Sequence, residues 1–120
     1  MNNSYTKYSP AKQPISDFDK HTIIRKKLYQ SLGLRKESFY NKNILEIGPG
    51  YGHNSLVNMK FNPKFYEFVE LNKETAEELD LLFKENKIDN SKYNIINTSI
   101  ENFTTKNQYD IIICEGTLGF

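Results

Sequence analysis

Four residues at alternate positions, one acidic and three of them glycine, have the types and spacing to hold a nucleotide cofactor. The acidic residue belongs to the apolar run Ile44-Leu45-Glu46-Ile47, which leads into Gly48-Pro49-Gly50-Tyr51-Gly52. A short apolar run that ends in glycines predicts a buried strand entering a tight turn. Glycine adopts backbone angles that are costly for other residues, and its missing side chain lets a ligand approach the backbone. A helix beginning after Gly52 would also point unpaired N–H groups at that ligand.

The glycine spacing separates two classes of nucleotide cofactor. A dinucleotide fingerprint, Gly-x-Gly-x-x-Gly, would place its third glycine at position 53, where this chain has His53. Here the third glycine is Gly52, and the run Glu46-x-Gly48-x-Gly50-x-Gly52 resembles the first motif of class I S-adenosylmethionine-dependent methyltransferases. An NAD-dependent site is the disfavoured alternative. The remaining alternative is a plain strand-to-helix turn that binds no ligand.

The resemblance implies the cofactor S-adenosylmethionine and its product S-adenosylhomocysteine. In that family the loop packs against the methionine part of the cofactor, and the acidic residue at the Glu46 position helps to hold that region. Family members line the site between cofactor and substrate with the end of the fourth strand, where this chain has Glu115. We expect Glu115 to contact the cofactor or the substrate, or to act as a general base. The family's base-modifying enzymes often carry an Asn/Asp-Pro-Pro-aromatic motif there, and its absence argues against methylation of DNA adenine.

A second acidic residue, Glu70, lies about twenty residues beyond the glycine loop, at the end of a predicted strand over 66–71. A carboxylate there suits the two hydroxyls of a ribose, because it can accept both hydrogen bonds. We therefore predict that Glu70 and its neighbour Leu71 bind the cofactor. S-adenosylmethionine and NAD both contain ribose, so Glu70 does not separate the two. The alternative is a solvated glutamate at a strand end.

The turn after the third predicted strand, over 93–97, is the expected adenine site. In the methyltransferase family an aspartate in this turn often bonds the exocyclic amine, and the next backbone N–H meets a ring nitrogen. The matching residues here are Ser99 and Ile100. A serine hydroxyl accepts a hydrogen bond from an amine more weakly than a carboxylate does. Glu101 is the alternative acceptor if the turn is shifted, and a plain turn without a ligand is the other interpretation.

The predicted strands and helices alternate along the chain, which is typical of a parallel sheet with right-handed crossovers. The strands are predicted at 44–47, 66–71, 93–97 and 109–114, and the helices at 17–32, 55–60 and 73–86. The doubly wound arrangement places the strands in the order third, second, first, fourth. The predicted fold class is therefore α/β, a Rossmann-like three-layer αβα sandwich.

The chain is predicted to hold one domain, over 17–120, preceded by a flexible N-terminal arm over 1–16. The arm is polar and contains two prolines. The first helix has an apolar stripe that we expect to pack on the sheet. The stripe residues are Ile23, Ile24, Leu28 and Leu32. The family's sheet has seven strands, whereas this chain ends after the fourth, so we expect a fragment of a longer protein.

The composition limits which binding partners and which cellular compartment we expect for this chain. The formal net charge of +1 gives no electrostatic signal for a nucleic acid or membrane partner. The single cysteine, Cys114, excludes an intrachain disulfide, and we expect a packed and inert thiol. No apolar run is long enough to span a bilayer, and the first residues lack the apolar core of a signal peptide. We expect a cytoplasmic protein without a metal site.

The sequence thus predicts an S-adenosylmethionine-dependent methyltransferase that acts on a small molecule or metabolite. Two alternatives stay open. The first is an NAD-dependent oxidoreductase half-domain, which the position of the third glycine disfavours. The second is a non-catalytic nucleotide-binding or scaffold module, because a fold does not by itself determine a function.

Overall fold

The computed structural model describes residues 18–31 and 36–114. The predicted arm over 1–16, Leu32 and Glu115 lie outside these residues. The described helices are α1 Phe18–Ser31, α2 Lys36–Phe39, α3 His53–Met59 and α4 Lys73–Glu85, with 3-10 turns at Asn90–Lys92 and Ile100–Asn102. The described strands are β1 Asn43–Ile47, β2 Phe65–Val69, β3 Tyr93–Ile96 and β4 Ile111–Ile113.

The four described strands form one parallel sheet in the order β3-β2-β1-β4. In this register Ile44 of β1 lies beside Tyr66 of β2 on one side and Ile111 of β4 on the other. The predicted strand order and the Rossmann-like fold class are confirmed. Because all four strands run in the same direction, the turns after β1, β2 and β3 meet at one edge of the sheet.

The hydrophobic core lies between one face of the sheet and the helices α3 and α4. Alternate residues of each strand point to this face, as the period of a strand requires. The rings of Tyr66 and Phe68 stack with centroids 4.3 Å apart. The buried cluster comprises Phe39, Ile44, Leu56, Val57, Met59, Phe61, Tyr66, Phe68, Leu79, Phe83 and Tyr93. This core holds the glycine loop and the end of β2 in fixed relative positions.

The opposite face of the sheet carries a buried carboxylate, Glu67 of β2, which is 4% exposed. It accepts hydrogen bonds from Asn94 Nδ2 at 3.1 Å, from Asn107 Nδ2 at 3.4 Å and from the Tyr109 hydroxyl. Burial, together with the bond to Glu67, raises the pKa of Tyr109. The segment before β4 is thereby attached to the middle of β2.

The first helix forms as predicted, but the three described residues of its apolar stripe do not pack on the sheet. Ile23 and Ile24 are each 55% exposed and Leu28 is 43% exposed, whereas Arg25 is 8% exposed. The helix lies against α3. The expectation for the stripe was wrong, because periodicity shows which residues share a helix face but not which face turns inward. No helix among the described residues is both long and apolar enough to cross a membrane.

Candidate cofactor site

The glycine loop between β1 and α3 has a backbone that favours glycine at three positions. Gly48, Gly50 and Gly52 have φ angles of 69°, 64° and 88°. Other residues reach this left-handed region at a cost of about 1–2 kcal/mol each. The loop continues directly into α3, where the N–H of Leu56 donates to the Gly52 carbonyl at 2.8 Å. The predicted requirement for glycine in this turn is confirmed.

Gly50 and Gly52 serve different purposes. A Cβ atom on Gly52 would lie 2.1 Å from Leu79 Cδ1, so glycine lets α4 pack directly against the loop. A Cβ atom on Gly50 would meet no atom within 4 Å. The backbone of Gly50 therefore borders open space, and its occupation by a nucleotide stays a prediction.

Glu46, the acidic residue of the motif, points its carboxylate into the protein. It is 4% exposed, and its Oε1 accepts hydrogen bonds from Ser55 Oγ at 2.9 Å and from the Tyr66 hydroxyl. The Tyr66 oxygen in turn accepts from Asn58 Nδ2 at 3.0 Å. Glu46 precedes the glycine loop and Ser55 follows it, so this carboxylate joins the two ends of the loop.

Glu70, the predicted ribose ligand, is connected to the glycine loop. Its Oε1 accepts the N–H of Gly50 at 3.3 Å, and its Oε2 accepts the N–H of Asn72 at 2.9 Å. The residue is 0% exposed. Burial raises the pKa of the carboxyl above its ordinary value, although hydrogen bonds from the backbone of Asn72, Gly50 and Leu71 oppose that rise. The fold thus brings together two predicted site elements that lie twenty residues apart in the sequence.

Asn97, which sequence reasoning did not assign to the site, attaches the end of β3 to the end of β2. Its Nδ2 donates to the carbonyl oxygens of Glu70 at 2.9 Å and of Leu71 at 3.0 Å. Leu71 is half-buried beside it. The available signal was a polar amide at the end of a predicted strand. Asn97 therefore holds the end of β3 beside Glu70, the predicted ribose ligand.

The predicted adenine residues lie in the turn that follows Asn97. Ser99 Oγ accepts the backbone N–H of Asn102 at 3.3 Å and so caps the 3-10 turn. Ile100 is 42% exposed at this edge of the sheet. The contact of Ser99 and Ile100 with an adenine stays a prediction, and the Ser99 oxygen already accepts one hydrogen bond.

Solved structures with the same architecture identify the fold. Protein arginine methyltransferase 10 of Arabidopsis thaliana covers 67% of this chain at 28% identity, with a TM-score of 0.60. The PRMT1 enzyme–prozyme complex of Trypanosoma brucei, solved with AdoHcy, covers 82% at 20% identity and a TM-score of 0.63. A protein of Methanococcus maripaludis, described as an S-adenosyl-L-methionine-dependent methyltransferase, covers 92% at 17% identity and a TM-score of 0.64. The chain has the class I methyltransferase fold.

The chain spans only part of each of these methyltransferases. It covers 22% of the Arabidopsis chain, 28% of the Trypanosoma chain and 56% of the Methanococcus chain. No protein-family model matches the sequence, and no curated protein matches it. The resemblance to the methyltransferase fold is therefore a structural one, and cofactor binding by the glycine loop and Glu70 stays a prediction.

Burial raises the pKa of the Cys114 thiol after β4, and the charge of Glu46 adds to that rise.

A groove of about 500 Å³ beside α4 and β3 reaches Lys73 and Asn97, and none of the predicted cofactor residues lines it. Among the described residues, no group of three or more His, Cys, Asp or Glu side chains could hold a metal ion.

Proposed function

We propose that this chain is the cofactor-binding part of an S-adenosylmethionine-dependent methyltransferase. The observation that carries the proposal is that Gly50 borders open space and donates its N–H to the Glu70 carboxylate. The cofactor would supply an electrophilic methyl group, so the protein's contribution is mainly to position donor and acceptor. Two structural relatives support this choice, since one was solved with AdoHcy and another, PRMT6, with SAH.

The predicted cofactor residues take four roles in this proposal. Gly48, Gly50 and Gly52 hold the methionine part, and Glu46 helps to hold that region by joining the ends of their loop. Glu70 accepts the ribose hydroxyls, and Leu71, Ser99 and Ile100 border the adenine. Glu115 contacts the cofactor or the substrate. The carboxylate of Glu70 offers about four lone-pair positions, so it can accept ribose hydroxyls while it keeps its backbone N–H bonds. Because Glu70 is 0% exposed, the surrounding chain must open locally when the ribose binds.

We propose a small molecule or metabolite as the methyl acceptor. A formal net charge of +1 provides no strong electrostatic attraction for a polyanion. A protein arginine side chain is the second candidate, and the 28% identity with the Arabidopsis arginine methyltransferase favours it. The two candidates differ in the size of the methylated product, which a transfer assay can measure.

The cofactor is tested by calorimetry on the purified chain, with circular dichroism confirming that the chain is folded. S-adenosylhomocysteine is titrated in one cell and NADH in a parallel cell. We expect S-adenosylhomocysteine alone to bind. Binding of NADH alone would overturn the proposal in favour of an oxidoreductase, and a folded chain that binds neither ligand would favour the scaffold module.

The acceptor is tested with S-adenosylmethionine that carries a labelled methyl group. The protein is incubated with the low-molecular-weight fraction of a cell extract and, separately, with peptides that contain arginine. Label in a small product supports the proposed acceptor. Label in the peptides would replace it with a protein arginine side chain.

A further inference from the structure

We propose that Tyr66 is a positioning residue for the amino-acid end of the cofactor, acting through Glu46. The inference rests on the proposed function, since it requires S-adenosylmethionine to bind at the glycine loop. Tyr66 lies in the middle of the core and does not touch the open space at Gly50. The hydrogen bond from its hydroxyl to Glu46 connects it to the base of the glycine loop.

The Tyr66 hydroxyl is held in one position. The side chain is 0% exposed, and its ring stacks on Phe68 with an interplanar angle of 8°. The hydroxyl donates to Glu46 Oε1 and accepts from Asn58 Nδ2 at 3.0 Å. A fixed ring with both hydrogen-bonding directions of its oxygen in use gives Glu46 a rigid partner.

The Glu46 carboxylate transmits that rigidity to the loop. Glu46 lies two residues before Gly48, and Ser55 lies three residues after Gly52. The bond of 2.9 Å from Ser55 Oγ to Glu46 Oε1 therefore closes the glycine loop at its base. Tyr66 donates to the same oxygen from β2, a third element of the fold. The two ends of the loop are thus joined through one oxygen atom, and Tyr66 donates a hydrogen bond to that atom.

Stability alone does not explain this arrangement. A buried carboxylate is costly to desolvate, and an apolar group of similar size is often as stable at such a position. Asn58 is 1% exposed, and its Oδ1 has no hydrogen-bond partner among the described residues. A buried acceptor without a partner lowers the free energy of unfolding. The role of this hydrogen-bond network is therefore to hold the glycine loop in one conformation.

Two substitutions separate positioning from stability. Tyr66→Phe removes the hydroxyl and keeps the ring that stacks on Phe68. Tyr93→Phe is the matched control, because Tyr93 belongs to the same core and its hydroxyl donates to Asp80 Oδ1 at 2.7 Å. Both variants lose one bond from a tyrosine hydroxyl to a carboxylate. Of these two tyrosines, only Tyr66 is bonded to Glu46, the residue that joins the ends of the glycine loop.

The readout compares two ligands that differ at one end. S-adenosylhomocysteine has the amino-acid end, whereas adenosine lacks it. We expect Tyr66→Phe to weaken binding of S-adenosylhomocysteine about fivefold to tenfold, the equivalent of one hydrogen bond, with adenosine affinity unchanged. Hydrogen exchange of the backbone over 48–52 should also become faster in Tyr66→Phe. Tyr93→Phe should leave both affinities and this exchange rate at their wild-type values.

Each other outcome has a definite meaning. A Tyr66→Phe variant that behaves like Tyr93→Phe, or that loses both ligands equally, would show that Tyr66 is only structural and overturn the inference. A wild-type chain that binds no S-adenosylhomocysteine would refute the proposed function itself. If Tyr66→Phe does not fold, Ser55→Ala removes the other donor to the same Glu46 oxygen. That variant must then show the selective loss of S-adenosylhomocysteine, and an unchanged affinity would overturn the inference.

Discussion

The backbone N–H of Gly50 donates to Glu70 Oε1 at 3.3 Å, so the glycine loop and the end of β2 are bonded directly. The second oxygen of Glu70 accepts the N–H of Asn72 at 2.9 Å. One carboxylate therefore connects the loop to the start of α4. A ribose that reaches Glu70 would be placed beside the open space at Gly50.

Replacement of Glu70 by alanine is expected to weaken binding of S-adenosylhomocysteine by about 1.5–3 kcal/mol, the range for hydrogen bonds to a charged group. Calorimetry measures the loss. Glu67→Ala is the control, because Glu67 is a buried glutamate of β2, the strand that leads to Glu70, and it faces the other side of the sheet. It should lower the free energy of unfolding and leave the affinity unchanged. An unaltered affinity in Glu70→Ala would place the ribose elsewhere.

Alanine substitutions at Gly50 and Gly52 should reduce the free energy of unfolding by different amounts. Gly52→Ala forces a Cβ atom against the buried side chain of Leu79 at a φ of 88°, so we expect it to reduce the free energy of unfolding by about 2–4 kcal/mol. Gly50→Ala places its Cβ atom in open space. It should reduce the free energy of unfolding by only about 1–2 kcal/mol, which is the cost of a positive φ for a residue other than glycine. Denaturant unfolding measures both values.

The same pair also tests where the cofactor lies. Gly50→Ala occupies space beside the loop, so it should weaken S-adenosylhomocysteine binding in a chain that is still folded, and Gly50→Val should weaken it further. If Gly50→Val binds with wild-type affinity, the cofactor does not approach this part of the backbone.

Binding of S-adenosylhomocysteine should depend on pH through Glu70. Burial raises the pKa of this carboxyl in the folded chain. The stability that Glu70 contributes is therefore fully present below its ordinary pKa and is lost as the pH rises through the raised value. Binding has the opposite sign, because the ionised carboxylate is the better acceptor for ribose hydroxyls. Affinity should fall on acidification from neutral pH, beginning at a higher pH than an exposed glutamate would give.

Calorimetric titrations over that pH range check this expectation, with Glu70→Gln as the comparison. The glutamine variant should bind more weakly and show a flatter pH dependence. A wild-type profile as flat as that of Glu70→Gln would mean that Glu70 does not titrate in the binding reaction.

The thiol of Cys114 should be unreactive at neutral pH. Burial and then the charge of Glu46 raise its pKa, so little thiolate is present to act as a nucleophile. Alkylation by iodoacetamide, followed by mass spectrometry, should be slower than for a free cysteine. Glu46→Gln removes the negative charge and should speed the reaction. A wild-type rate equal to that of free cysteine would contradict the raised pKa.

Much of the fold follows from local patterns in the sequence. Strands alternating with helices predict the parallel sheet, and short apolar runs locate its strands. The three glycines predict the turn after β1 because backbone angles are a local property, and all three do have positive φ. The position of Glu70 near the end of β2 was also readable, since sequence spacing counts residues along a strand.

The tertiary structure decided which distant groups meet. The bonds from Tyr66 and Ser55 to Glu46, from Gly50 to Glu70 and from Asn97 to Leu71 join residues from different elements. A hydrogen bond forms only when the donor–acceptor distance is correct to within a few tenths of an ångström and the angle is favourable. Residue types and their spacing in the sequence specify neither quantity. The inward face of α1 was likewise set by its packing against α3. The sequence by itself determined the elements and the glycine loop, whereas packing determined the contacts that hold the loop in place.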